Sequence, residues 1–172
     1  MSELPVAIED VYAARELLAG VIEPTPMQRS RALSDLVGVD VYLKCENLQR
    51  AGSFKIRGAY TRMSRLTAEE KARGVVAASA GNHAQGVALA AKMLGISATV
   101  FMPTGAPLPK LAATRGYGAT VHLHGSTLDE ALVEAHAYAA RTGAVLIHPF
   151  DHADVVAGQG TVGLEILEDL KD

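Results

Sequence analysis

Residues 75–103, VVAASAGNHAQGVALAAKMLGISATVFMP, read as a strand, a loop, a helix and a second strand. The runs from Val75 and from Ala98 are short and apolar, and between them Ala84, Val87, Ala88, Ala91 and Leu94 fall on one face of a helix. Strands joined by a crossover of this length pair in parallel, with the helix laid over the sheet and a right-handed connection. Outward from this unit the rhythm continues. Further apolar runs begin at Ala119 ("ATVHLH") and Ala144 ("AVLIH"), and Leu128, Ala131, Leu132, Ala135 and Ala139 form a second helical face between them. Gly95, Gly118 and Gly143 stand where helices should stop, and Thr67 with Glu70 and Ser126 with Asp129 where helices should start. The fold class is α/β, a parallel sheet built from βαβ units.

Towards the N-terminus, Ile8, Val11, Tyr12 and Leu18 predict a short helix over 8–19 that ends near Gly20. Pro24 and Pro26 then force an extended segment, and Val39, Val41 and Leu43 alternate as a strand does. At the other end a helix is expected from Asp154 that runs into Asp172 with no cap and no following strand. More protein is expected beyond it.

The 172 residues suffice for one ordinary domain that buries roughly two thirds of its unfolded surface. A formal net charge of -3, 5% aromatic residues and no basic run give nucleic acid no electrostatic footprint to bind. The single cysteine, Cys45, cannot close an intrachain disulfide, which suits a reducing compartment. The N-terminus lacks a basic and apolar leader, and no apolar run approaches the roughly 20 residues of a membrane span. A soluble, cytoplasmic protein with no membrane partner is expected.

The loop Ser79–Gly86, "SAGNHAQG", enters a helix at the carboxyl end of a strand, where unpaired backbone N–H groups converge on an anion. It is a place for a carboxylate. The dinucleotide fingerprint fails, because His83 stands where its second glycine should be, and the P-loop fails, because Val87 and Ala88 follow Gly86. His122 with His124, and His148 with His152, lack the cysteine or carboxylate that would complete a metal spacing, so no metal is expected. No G-x-S-x-G elbow supports a serine hydrolase.

Lys55 follows the Gly52-Ser53 turn at the start of a helix. The bland reading is a solvated lysine; against it, a cation there opposes the helix dipole, and the same field lowers the amine pKa and favours imine chemistry.

"TPM" from Thr25, "KCENLQ" from Lys44, "GSFKIRGA" from Gly52, "SAGNHAQGVA" from Ser79, "FMP" from Phe101, "PFD" from Pro149 and "GQGT" from Gly158 together resemble the threonine dehydratase and serine racemase branch of the fold-type II pyridoxal-phosphate enzymes. The cysteine synthase branch has an S-V-K-D-R type lysine motif, and threonine synthases usually continue Gly-Ser-Phe-Lys with Asp-Arg; Ile56 and Arg57 depart from both. The resemblance implies a tryptophan synthase β-like fold. Residues 1–73 would begin the large domain, 74–150 would form a complete small βαβ domain, and 151–172 would start the return to the large domain. It implies pyridoxal 5'-phosphate as cofactor, Lys55 as the Schiff-base lysine, Phe54 beside the cofactor, and Asn82 on its ring hydroxyl. Ser79, Ala80, Gly81, Asn82 and His83 would receive the substrate carboxylate. The implied reaction is β-elimination on L-threonine, and on L-serine, giving 2-oxobutanoate or pyruvate and ammonia, in an enzyme that forms homo-oligomers at full length. Racemases of this branch generally carry a serine at the position of Ala80, whose methyl cannot move a proton, so the ammonia-lyase is favoured over the racemase. The family's phosphate loop lies downstream of "GQGT", beyond Asp172. A non-catalytic, truncated or split chain is therefore the other reading.

Overall fold

The computed structural model describes residues 6–171; the readings that fall on Met1–Pro5 and on Asp172 lie outside it. Helix α1 (Ile8–Leu18) is followed by strand β1 (Met27–Arg29), helix α2 (Arg31–Val37) and strand β2 (Tyr42–Lys44). Two 3-10 turns (Glu46–Leu48 and Arg50–Gly52) lead into α3 (Lys55–Ser64) and α4 (Ala68–Arg73). The βαβ region runs β3 (Val75–Ala78), α5 (Asn82–Leu94), β4 (Ala98–Met102), α6 (Leu108–Gly116), β5 (Thr120–Leu123), α7 (Leu128–Thr142) and β6 (Val145–Leu146), and α8 (Ala153–Asp169) follows.

Strands β3 to β6 form a parallel sheet in the order β5-β4-β3-β6, with Val75 opposite both Ala98 and Val145. The central strands β3 and β4 are buried throughout, which is why their sequences are continuous apolar runs. The pleat sends Val75, Ala77, Val100 and Met102 to one face, where Ala84, Val87 and Ala88 of α5 and Ile56, Ala59 and Met63 of α3 cover them. Val76, Ala78 and Phe101 face the other way, against Ala131 and Ala135 of α7. Edge strand β5 is mostly exposed, and Phe101 stacks on its His122.

The predicted helices and parallel strands are present with adjusted ends. Helix α1 stops at Leu18, and its first turn is held by Asp10 accepting from the Ala7 N–H at 2.9 Å. Helix α7 starts one residue later than Ser126 with Asp129 suggested: Thr127 caps it, and Glu130 closes a reciprocal capping box. Helix α6 ends at Gly116 with Tyr117 as its C-cap, and Gly118 follows at once with a φ of 96°, the positive-φ glycine just past a helix end. Helix α8 ends at Asp169 and does not run to the last residue. Strand β1 and helix α2 were not expected. The extended segment after Pro26 pairs antiparallel with β2, and Ser30 caps α2 by accepting from the Leu33 N–H.

Helix α3 is clamped between α5 and α8, and glycine permits both contacts. A Cβ on Gly86 would lie 3.0 Å from the Lys55 carbonyl carbon, and one on Gly158 would lie 2.6 Å from the Arg57 carbonyl oxygen. Charge ties the same seam. The fully buried Arg57 guanidinium donates to Glu46 at 2.9 and 2.8 Å and to Glu165 of α8 at 2.6 and 2.9 Å. Lys44 reaches Glu165 and Asp169, each at 2.9 Å, and the Thr25 carbonyl at 2.7 Å. Lys55 therefore begins a helix whose first turn is fixed by a buried ion-pair network.

Candidate active site

Chain topology opens a crevice between two strands. From β3 the chain leaves through α5 towards β4, whereas β5 returns through α7 to place β6 on the far side of β3. Ligands of open α/β sheets bind where the strand order reverses, beyond the carboxyl ends of the strands. Here the loop after β3, Ser79–Gly81, and the segment after β6, Ile147–Asp151, flank that point.

Lys55 reaches it from α3. Its Nζ donates to the Pro149 carbonyl at 2.9 Å and lies 5.1 Å from the centre of the Phe54 ring, which is 39% exposed. Among the described residues no carboxylate pairs with it, and burial pushes its pKa below that of an ordinary lysine. The direction matches the sequence argument, but burial is the cause here. A lysine resting on a neutral carbonyl, with its charged form disfavoured, is suited to attack a carbonyl group.

The loop opposite is shaped by short-range bonds. Ser79 Oγ accepts from the Gly81 N–H at 3.1 Å, and Gly81 occupies the N-cap of α5 without any side chain capping the helix. The first-turn N–H groups are thus left to a ligand. Ala80 lies between, half-buried. Asn82 is exposed, and its Oδ1 accepts from Lys110 Nζ at 2.7 Å.

His83 behaves differently. Its ring is buried, with Nε2 2.8 Å from the Ile147 carbonyl. A carbonyl only accepts, so Nε2 carries the hydrogen, and burial pushes the pKa down to about 4, leaving the ring neutral. Nε2 is thereby committed to the segment that follows β6. His148 and His152 spend their Nδ1 atoms on backbone N–H groups of Asp151 and Asp154.

The structure thus gathers Phe54, Lys55 and the Ser79–His83 loop around one crevice. Sequence reasoning missed three contributors. The Pro149 and Ile147 carbonyls could not be read because any residue supplies a carbonyl. Lys110 could be suspected only from its place in the first turn of a helix. On the α7 side, Ala78, Leu128, Leu132, His148, Pro149 and Phe150 line a cavity of about 210 Å³.

Residues 18–172 match the family model described as "Pyridoxal-phosphate dependent enzyme". The chain belongs to the pyridoxal-phosphate dependent enzyme family. It is 54% identical over 167 residues to the L-threonine ammonia-lyase of Thermotoga maritima, an alignment covering 97% of this chain and 42% of that protein. Against the catabolic L-threonine dehydratase of Escherichia coli it is 51% identical over 170 residues, 99% of this chain and 52% of the other. Maize serine racemase superimposes with a TM-score of 0.92 at 37% identity, over 98% of this chain and 51% of that one. A threonine deaminase from Solanum lycopersicum gives 0.88 at 45% identity, over 96% and 45%. The chain spans about half the length of the relatives it matches.

The crevice fits the family's cofactor on its own chemistry. An amine without a carboxylate partner, its pKa lowered by burial, suits the cofactor's aldehyde, and an uncapped helix N-terminus beside it suits an anionic group. Among the described residues no helix is long and apolar enough to cross a membrane.

Proposed function

We propose that this chain carries the lysine side of the active site of a threonine ammonia-lyase, acting on L-threonine and also on L-serine, and giving 2-oxobutanoate or pyruvate with ammonia. The observation that carries this reading is the Lys55 amine, held on the Pro149 carbonyl and free of carboxylates, at the crevice faced by the Ser79–His83 loop. The relatives' names supply the reaction.

Pyridoxal phosphate, when bound, supplies an electron sink for the charge that builds at the substrate α-carbon. Lys55 is the residue that would hold it covalently, and once displaced by substrate its amine would take the α-proton. Burial favours the unprotonated amine that both tasks need. The N–H groups of the Ser79–His83 loop and the N-terminus of α5 would bind the substrate carboxylate and so fix which α-bond faces Lys55. Phe54 would pack beside the cofactor ring, and Asn82 would donate to its hydroxyl. Ala80 presents a methyl where the racemase would need a proton donor, and a methyl cannot move a proton.

Residues 1–73 and 151–172 are assigned to the large domain of the family and 74–150 to the small one, in a cytoplasmic, homo-oligomeric protein. A second reading is a non-catalytic, truncated or split chain that needs another chain to complete its fold; the share of each relative's length that the chain matches supports it.

Incubation of the purified chain with pyridoxal phosphate, borohydride reduction and peptide mapping should place the label on Lys55. Labelling at other lysines only, or persisting unchanged in Lys55→Ala, would sink the proposal. Release of 2-oxobutanoate from L-threonine separates turnover from binding alone, and D-serine formed from L-serine in deuterated water would replace the lyase with the racemase.

A further inference from the structure

Lys110 lies in the first turn of α6, a poor position for a cation because the dipole of its own helix repels it. Its ammonium is directed at the start of a second helix, α5, where it donates to Asn82 Oδ1 at 2.7 Å. Two helix N-termini and one ammonium thus meet at Asn82, and among the described residues no carboxylate pairs with Lys110. The contrast is Lys44, which is nearly buried and sits between two carboxylates.

The bond also settles the direction of the Asn82 amide. Which end of an asparagine is oxygen must be inferred from its partners, and an ammonium has three donors and no acceptor. The atom facing Lys110 is therefore the oxygen, which leaves the two Nδ2 hydrogens free of partners among the described residues. We propose that Lys110 is a positioning residue of this site: by occupying the carbonyl oxygen of Asn82 it makes the amide a pure donor and selects an oxygen anion as the ligand atom opposite. The inference rests on reading the crevice as the cofactor site, and there it specifies the ring oxygen of pyridoxal phosphate as the ionised phenolate. Without Lys110 the amide can rotate, present its oxygen, and accept equally well from a neutral hydroxyl.

The test titrates pyridoxal phosphate into the chain and its Lys110→Met, Lys110→Gln and Lys110→Arg variants. It follows the absorbance at the edge of the visible, and the borohydride-fixed label on Lys55. Lys110→Met should weaken cofactor binding about tenfold, the scale expected for loss of a charge-assisted hydrogen bond. It should also move intensity from the visible-edge band to the near ultraviolet as the ring oxygen takes up a proton. Lys110→Arg should restore both, Lys110→Gln should recover neither in full, and melting without cofactor should be the same in all four. If the unsubstituted chain labels Lys55 and Lys110→Met matches it in affinity and band position, the assignment to Lys110 fails while the cofactor reading stands. If the unsubstituted chain does not label Lys55, both fail.

Discussion

The ring of His83 connects the candidate carboxylate loop to the segment that holds Lys55, because its bond to the Ile147 carbonyl lies two residues from the Pro149 carbonyl taken by the lysine. That connection should be visible as a pH dependence of stability. Burial lowers the folded pKa from 6.5 to about 4, so between those values the unfolded chain binds a proton that the folded chain refuses. Stability therefore falls as pH drops through this window, and His83 alone should remove about 2 kcal/mol between pH 7 and pH 5. His152 is shifted the same way, first by burial, and adds to the slope. Urea unfolding at the two pH values measures it, and His83→Gln should flatten the dependence; an unchanged slope in the variant would exclude His83 as its source. Nothing in "GNHAQ" reveals this, because the partner is 64 residues away and contributes only a carbonyl. Lys55 was legible for the opposite reason: a cation in a first helical turn conflicts with the dipole locally, so the conflict is visible without the fold.

At the scale of elements, the seam between α3 and α8 decides where Lys55 sits, and it depends on backbone-to-backbone approach. Gly158→Ala would place a Cβ 2.6 Å from the Arg57 carbonyl oxygen and 2.7 Å from the Gly58 Cα, atoms that cannot swing aside. The helices must separate, stretching the Arg57–Glu165 bonds, at a cost of about 3 kcal/mol. At Gly163, also in α8, an added Cβ would meet nothing within 4 Å, so Gly163→Ala should stabilise by about 0.5–1 kcal/mol through helix propensity alone. Chemical denaturation of the pair checks the contrast, and equal effects would mean that the seam is not close-packed. The periodic helices and the buried strands were legible because one dominant period governs each. Strand β1 and helix α2 were not: a three-residue strand is too short to show alternation, and α2 is seven residues long and buries only Ser34, its apolar Leu33, Leu36 and Val37 staying exposed and marking no core.

Across the whole molecule, chain order and packing divide the protein differently. The assignment of 74–150 to a separate domain follows the sheet, yet Ile56, Ala59 and Met63 of α3 lie in one buried cluster with β3, β4 and α5, and Ile147 beyond β6. Cooperative units follow buried contacts and not sequence order. Helix α3 should therefore open with the sheet, whereas β1, α2 and β2, with exposed or half-buried strands and little buried apolar surface, should open first. In native-state hydrogen exchange the amides of α3 should accordingly share the opening free energy of β3, β4 and α5, and those of 27–44 should exchange well before them. If α3 instead exchanges with 27–44, the cluster is two units and Lys55 is hinged against the Ser79–His83 loop. A shared opening energy carries the functional consequence: lysine and loop are held by the same core, so their separation is set when the sheet folds, before any ligand arrives.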